Sequence, residues 1–397
     1  MTVRLAKSTN TGMTWPTLSG TAGDLTTLMD ALLVNGSNTI SISSITRSGT
    51  TATVNTAVAH GISSVSTTPA SERRVLHAGL DQAEYNGEFT ATYVDSDTYT
   101  IEVSGSPATP ATGTGLARRP PCGWATAFTA ANKRSYRAAT GNRHYCRIVD
   151  DGTTSAAYGR IVGYETMSDV DTGTALFPTA AQVSGGLWIH KSSTANATTR
   201  PWCFIGDEVR WYLFVDYDSN ATPFGAALAT FFGEIVSYKS GDAYHTMAIG
   251  SASATPANSN NVNHVKAPSA TSATEGNYIV RGHAQTGTSL NVLKLGQITT
   301  VATNVATSGG SAQPLTYPSP ASGGLYTARM VIADTTAVLR GEVPGCWTIY
   351  HNRPATNYDT WSGVGANAGR TFMQVNTGGN SVTASAGCVA LEVSDTW

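Results

Sequence analysis

The chain has 397 residues, which is long enough for two or three domains that each bury a core of their own. Charged residues make up 13% of the chain, about half of the roughly 25% usual in soluble domains, and the formal net charge is −2. Because phosphate contacts need a clustered basic stripe, scattered Lys and Arg argue against binding to nucleic acid. The sequence contains no 18-residue apolar run and no apolar signal-peptide core, so we expect a protein made in the cytoplasm and not inserted in a membrane.

The first predicted element is a short helix near the N-terminus. Asp24 precedes an apolar pattern at helical spacing and is expected to cap its start, and Asn35-Gly36 is expected to end it. The apolar positions are Leu25, Leu28, Met29, Leu32 and Leu33. Residues 1–38 are therefore predicted to form an N-terminal segment whose helix docks either on the next domain or on a partner.

Residues 39–117 have the pattern of a small β module. Two alternating strands flank a Ser48-Gly49 turn, and further hairpin turns are predicted at Asn86-Gly87 and at residues 95–97. The expected inward-facing side chains of the first hairpin are Ile40, Ile42, Ile45, Ala52 and Val54. A Pro/Ala/Thr/Gly-rich tail predicts a linker at the end of this module.

Three short motifs in this module carry a resemblance. His60-Gly61, Tyr85-Asn86-Gly87 and Asp97-Thr98-Tyr99-Thr100 resemble a β module that recurs in tail-associated and other structural proteins of tailed bacteriophages. The resemblance implies that His60 and Gly61 end one strand, and we expect His60 to cap a turn rather than to act in catalysis. This sequence departs from the pattern by an insertion at residues 63–81.

Residues 143–217 hold the densest group of aromatic and β-branched side chains. The runs RHYCRIV and YGRIVGYE predict one β-hairpin, and a tighter Gly206-Asp207 turn joins WCFI to VRWYLFV in a second. After the Pro120-Pro121 boundary, these hairpins predict the core of a central β domain at residues 118–250. Residues 251–397 are predicted to form a C-terminal β region, either as a separate unit or as one sandwich with residues 118–250.

The sequence after Trp124 shows a second resemblance. The runs GWATAFTAANKRSYRA, RHYCRIVDDG, GGLWIHKSSTANATTRPWCFIGD and RGEVPGCW resemble uncharacterised virion structural proteins of tailed phages. The fold class that we predict is mainly β, with antiparallel sandwich or barrel-like domains and one short N-terminal helix.

Motifs for catalysis or metal binding are incomplete in this sequence. Residues 169–174 and 216–220 resemble the openings of calcium loops, but Ala180 and Ala227 stand where the closing glutamate would be, so we interpret both as turns. The sequence lacks G-x-S-x-G, H-E-x-x-H and Walker-type motifs, and its five cysteines have no C-x-x-C spacing. Cys146 and Cys203 are predicted to be buried as small hydrophobic side chains. We expect no enzymatic activity, no catalytic residues, no bound metal and no cofactor.

The aromatic residues supply the candidate contact sites. Tryptophan and tyrosine are favoured in cores, at protein interfaces and under sugar rings. The candidate interface or ligand residues are Trp188, Trp211, Tyr212, Trp347 and Trp361; Trp202 and Tyr350 belong to the same aromatic group.

The functional expectation combines the two resemblances with these residues. It is a structural component of a tailed-phage virion, located in the tail or tail tip, that assembles as a homo-oligomer in multiples of three or six and docks to neighbouring virion proteins. A host receptor or glycan-binding tail protein and a capsid decoration protein stay open as alternatives.

Overall fold

The computed structural model describes residues 1–153, 155–216, 228–253, 275–295, 318–336, 338–349, 351, 355–377, 387–394 and 396–397. The chain is mainly β, with antiparallel sheets, one nearly closed barrel-like sheet and one short α-helix near the N-terminus. The predicted fold class is confirmed.

The described residues form 26 strands. In chain order the strands are β1 Arg4–Lys7, β2 Ile40–Ser48, β3 Thr51–Thr56, β4 Arg74–Leu80, β5 Gly87–Thr90, β6 Thr92–Tyr93, β7 Thr98–Glu102, β8 Gly113–Arg118, β9 Ala125–Ala130, β10 Lys133–Arg137, β11 Tyr145–Val149, β12 Tyr158–Met167, β13 Gly173–Phe177, β14 Leu187–His190, β15 Trp202–Gly206, β16 Arg210–Val215, β17 Leu228–Glu234, β18 Val236–Ser237, β19 Thr246–Ser251, β20 Glu275–Ile279, β21 Leu290–Leu295, β22 Thr327–Asp334, β23 Leu339–Ile349, β24 Thr360–Ser362, β25 Thr371–Thr377 and β26 Gly387–Glu392. Single 3₁₀ turns lie at Ala70–Glu72, Ala83–Tyr85 and Gly365–Asn367.

A seven-stranded sheet contains strands β2 to β8 in the order β5-β4-β8-β2-β3-β7-β6. The predicted hairpin about Ser48-Gly49 is confirmed, because Ser48 pairs with Thr51 at its end. A register shift between Ile42 and Ser44 changes which side chains point inward. Ile45 is therefore buried, whereas Ile42 is only partly buried at the rim of the same core.

The predicted turn-capping role of His60 is confirmed by its contacts. The imidazole Nε2 lies 2.9 Å from the carbonyl oxygen of Asp95 and 3.2 Å from that of Thr98, and Nδ1 accepts a hydrogen bond from the Ile62 amide at 2.9 Å. The ring therefore holds the turn between β6 and β7 against the loop that follows β3. Strand β3 ends at Thr56, so His60 and Gly61 follow the strand rather than end it as the resemblance implied. Burial lowers the pKa of His60 from its ordinary value.

The larger sheet contains the predicted central hairpins. Strand β11 pairs with β12, and β15 pairs with β16 across the Gly206-Asp207 turn, so both hairpins are confirmed. Strand β1 of the N-terminal segment adds to the free edge of β15, with Leu5 opposite Ile205. The sheet continues through β17 and β19 to β20, and from there to the C-terminal strands.

Strands β15 and β16 are buried on both faces, which the sequence did not predict. Trp211, Leu213 and Val215 pack into one core, and Tyr212 and Phe214 pack into a second. The first core is shared with the N-terminal helix, and the second with apolar side chains of β22, β25 and β26. An unbroken apolar run is the sequence pattern of such a doubly covered strand.

The helix begins at Asp24, one residue earlier than predicted, because Asp24 was expected to be the cap before the first helical residue. It spans Asp24–Asp30 and continues as a π-helical turn at Ala31–Asn35, with Gly23 at the N-cap position. The expectation that Asp24 caps the helix is wrong, because Asp24 is itself helical. The end at Gly36, which has φ 82°, is confirmed.

The helix start is capped from a distant part of the chain. Asp150 Oδ2 accepts a hydrogen bond from the Leu25 amide at 2.8 Å, and the Asp150 carbonyl accepts one from Gly23 at 2.9 Å. The other carboxylate oxygen of Asp150 lies 2.5 Å from Lys191 Nζ, and both side chains have no exposed surface. The Lys191 ammonium also donates to the Thr21 carbonyl. This buried ion pair therefore fixes the helix to the central sheet.

We predict that Lys191→Met lowers the free energy of unfolding by about 3–5 kcal/mol, because it leaves the Asp150 carboxylate buried without its counter-charge. Urea unfolding followed by circular dichroism measures this loss. The control Asp171→Asn removes an ion-pair partner whose side chain is 48% exposed, and its cost should stay below about 1 kcal/mol. Equal losses in the two variants would contradict the structural role of the buried pair.

We also predict that acid weakens the fold through His77. Burial lowers the pKa of His77 from 6.5 to about 4, and its Nε2 lies 2.7 Å from Tyr99 Oη. The unfolded chain therefore binds more protons than the folded chain between pH 6.5 and 4, so the free energy of unfolding falls as pH is lowered through this window.

The variant His77→Gln should reduce this fall by about 3 kcal/mol, since glutamine does not titrate there. Other titrating groups, including Asp150 with its pKa raised by burial to about 6, contribute equally to both proteins. The control His283→Gln changes a half-exposed imidazole. An unchanged pH profile in His77→Gln, measured by urea unfolding at each pH, would disprove the assignment.

Candidate functional site

Three of the five candidate aromatics, Trp211, Tyr212 and Trp347, lie in hydrophobic clusters. Trp211 and Tyr212 are both 0% exposed. The Trp211 ring stacks on Phe204 and Phe232, each with centroids 6.4 Å away, and Tyr212 donates a 2.6 Å hydrogen bond to the Pro344 carbonyl. Neither side chain is available for a contact from outside the folded chain.

Trp188 and Trp347 lie against arginine side chains. The Arg160 guanidinium is 3.6 Å from the Trp188 ring centroid, and Arg329 and Arg370 lie 5.3 and 5.8 Å from that of Trp347. Trp188 is partly exposed, whereas Trp347 is buried. These contacts already occupy ring faces that a ligand would use. Trp202 is buried, and Tyr350 lies outside the described residues.

Trp361 is different, because it lines a surface cleft of about 820 Å³. One wall is the part of the insertion at residues 63–72 of the small β module, and the other is formed by residues that precede β22 and surround β24. The described residues that line the cleft are Lys7, Ser63, Val65, Thr67, Thr68, Pro69, Glu72, Gly323, Gly324, Leu325, Thr327, Ala355, Tyr358, Asp359, Thr360, Trp361, Ser362, Gly363, Val364, Asn367 and Phe372.

Arg119 holds residues 61–72, which contain the part of the insertion that lines the cleft. This residue is buried, and its guanidinium donates to the Gly61 carbonyl at 2.8 Å and to the Glu72 carbonyl at 2.6 Å. Its amide donates to Ser37 Oγ at 2.8 Å, which joins the same residue to the N-terminal segment. Burial lowers the pKa of Arg119 from its ordinary value. Arg119, which directly precedes the predicted Pro120-Pro121 boundary, therefore positions one side of the cleft.

The insertion also contacts the opposite wall directly. Ser71 Oγ donates to the Val393 carbonyl at 2.7 Å, and Thr360 Oγ1 donates to the Thr67 carbonyl at 3.3 Å. These contacts join the module to the C-terminal strands below the cleft, so its two walls share one support.

The cleft lining is polar but carries little free charge. Among the described lining residues the basic side chain is Lys7, whose Nζ lies 2.9 Å from Glu72 Oε2. Asp359 is exposed, and one of its carboxylate oxygens accepts a hydrogen bond from the Thr356 amide at 3.1 Å. The remaining polar groups are mainly hydroxyls and the amide of Asn367.

The carboxylates considered for hydrolysis are engaged elsewhere. Glu165 accepts two hydrogen bonds from Arg281, at 2.6 and 2.8 Å. Asp207 accepts the amides of Val209 and Arg210, and Glu208 pairs with Arg4. Within the described residues, these three side chains therefore serve as turn and ion-pair groups.

The first of the two calcium-like segments forms a turn. The Asp171 amide donates to Asp169 Oδ1 at 2.8 Å, and the Asp171 carboxylate pairs with Lys133 and Arg147. Residues 217–220 of the second segment lie outside the described residues. In the described ranges, no three His, Cys, Asp or Glu side chains come together as a metal site.

The cysteines have the burial that was predicted for two of them. Cys146 and Cys203 are both buried, and burial raises the pKa of the Cys203 thiol to about 12. A thiol with so high a pKa is protonated at neutral pH and a poor nucleophile.

Comparisons with known proteins give little further information. No model of a known protein family matches the sequence, and no curated protein matches it. Among solved structures, the phage phi92 endosialidase aligns over 91% of this chain and 52% of its own, with 11% sequence identity and a TM-score of 0.16. The chain thus spans about half the length of that protein, and a likeness this low supports no conclusion about fold or activity. Within the described residues, no helix is long and apolar enough to cross a membrane.

We predict that Arg119→Met loosens the insertion wall. The change leaves the partly buried Gly61 and Glu72 carbonyls without their donors and should cost about 1–3 kcal/mol of unfolding free energy. Limited proteolysis with mass spectrometry should show faster cleavage between residues 63 and 72. The neighbouring Arg118→Met, at a partly exposed position, serves as the control. Cleavage at the parent rate in Arg119→Met would show that the wall is held by other contacts.

Proposed function

We propose that this protein is a non-enzymatic structural component of a tailed-phage virion, located in the tail or tail tip. The observation that carries the proposal is the module at residues 39–117. Its motifs resemble a module of phage structural proteins, and His60 caps a turn of this module, as expected for a structural histidine. The protein acts by self-association and by docking to neighbouring particle proteins.

The way in which the module is attached supports a mechanical role. Arg4, on β1 of the larger sheet, lies 2.7 Å from Glu88 of the module and 3.1 Å from Glu208 in the turn between β15 and β16, so one guanidinium joins the two sheets. Lys7 makes a second such link to Glu72. These partly buried ion pairs restrict rotation of the module relative to the larger sheet. A module held in this way can keep neighbouring subunits in a fixed orientation.

Self-association in multiples of three or six is part of the proposal. A low content of charged residues limits electrostatic repulsion between packed copies, and closed rings satisfy every interface of a symmetric oligomer. Capsid decoration is the competing location in the particle, and the copy number distinguishes it from the tail.

The test is quantitative mass spectrometry of purified virions of the phage that encodes the chain. We expect a small multiple of three or six copies per particle, with the major capsid protein as the internal standard. Hundreds of copies would place the chain on the capsid instead, and its absence from purified particles would disprove the proposal. Light scattering of the purified chain measures its oligomeric state independently.

A further inference from the structure

Trp361 has the geometry of a fixed stacking surface. Its indole packs on Phe372 with ring centroids 6.1 Å apart and an interplanar angle of 26°, and Phe372 meets Trp347 edge-on at 5.5 Å. These contacts hold the indole in one orientation while it stays partly exposed in the cleft wall. A flat, rigid aromatic surface binds an apolar ligand face at low entropic cost. The C–H face of a pyranose ring is such a ligand face.

The polar groups around Trp361 are suited to hydrogen bonding with the hydroxyl groups of a sugar. Thr68, Thr327, Ser362 and Asn367 supply neutral hydroxyl and amide groups to the cleft. Such groups can both donate and accept hydrogen bonds, as sugar hydroxyls do. The cleft thus combines one apolar aromatic surface with several neutral polar groups, which is the usual composition of a small-ligand site. Its volume of about 820 Å³ is also in the usual range for such sites.

The charged side chains in the cleft lining determine whether a neutral or an acidic sugar is favoured. Lys7, the basic residue in the described lining, is neutralised by Glu72, whereas the Asp359 carboxylate is exposed. Among the described lining residues, a carboxylated or sulfated sugar would meet negative charge without a free cation to pair with. The charge distribution therefore favours an uncharged saccharide over an acidic one.

We propose that this cleft binds an uncharged saccharide of the host cell surface, with one sugar ring stacked on Trp361. The inference rests on the proposed function, since a virion protein at the tail is placed to meet such polymers. It adds a binding site and a ligand class to the structural role.

Affinity electrophoresis of the purified full chain tests the proposal. The gels contain a neutral polysaccharide (dextran, mannan or galactan) or an acidic one (polygalacturonate or polysialic acid). We expect retardation by at least one neutral polymer and by neither acidic polymer. Trp361→Ala should weaken this binding about tenfold or more, whereas the control Trp188→Ala removes a partly exposed tryptophan outside the cleft and should bind as the parent does.

A second variant guards against loss of folding in Trp361→Ala. Gly324→Leu places a side chain at the cleft wall, where an added Cβ would meet only Ser322 Oγ, at 3.3 Å. We expect a native near-ultraviolet circular dichroism spectrum and about tenfold weaker binding, because the new side chain occupies ligand space.

Three results would overturn the inference: no retardation by any neutral polymer, a preference for an acidic polymer, or parent-like binding in both cleft variants. These outcomes are separate from those for the proposed function. A chain that is present in virions but binds no neutral polymer refutes the saccharide site alone. A chain that binds through Trp361 but is absent from virions refutes the structural role alone.

Discussion

The contacts of Arg119 are the constraint on which the cleft depends. The buried Arg119 guanidinium donates to two backbone carbonyls, that of Gly61 just before the insertion and that of Glu72 within it. A segment fixed at two points by one side chain loses much of its freedom to move as a whole. This part of the insertion can therefore serve as a wall, and residues between the two points can face the cleft without forming a core of their own.

A second constraint is the burial of β15 and β16 on both faces. These strands contribute alternate side chains to two cores, so that the N-terminal helix lies on one side and the C-terminal strands on the other. The arrangement removes the richest aromatic cluster from solvent. It also provides the rigid support on which the module and the cleft are mounted, because a change in either core would be transmitted to the sheet between them.

The Arg119 contacts involve polar groups of the module, whereas the burial of β15 and β16 involves apolar side chains of the larger sheet. The larger sheet is stabilised by apolar packing around β15 and β16. The module is attached to it through ion pairs and hydrogen bonds, such as those of Arg4 and Ser71. Polar links of this kind have strong directional preferences and fix orientation. A few ion pairs are enough for this attachment: Arg4 and Lys7 of β1 pair with Glu88 and Glu72 of the module.

The sequence by itself determined the features that depend on near neighbours. Alternation of apolar residues predicted the strands, Ser48-Gly49 and Gly206-Asp207 predicted hairpins, and His60 was assigned to a turn. The sequence did not determine which aromatic side chain faces a ligand: Trp211 and Trp361 have the same chemistry, but one is buried between two layers and the other lines a cleft.

Only the tertiary structure decided the helix cap, because Asp150 reaches Leu25 across 125 positions of the chain. It alone brought the insertion to the Trp361 side of the cleft, through the Ser71–Val393 and Thr360–Thr67 hydrogen bonds, whose partners are far apart in sequence. Local patterns reflect backbone preferences that each residue shares with its neighbours, whereas the cap and the cleft come from contacts that exist only after the sheets have packed.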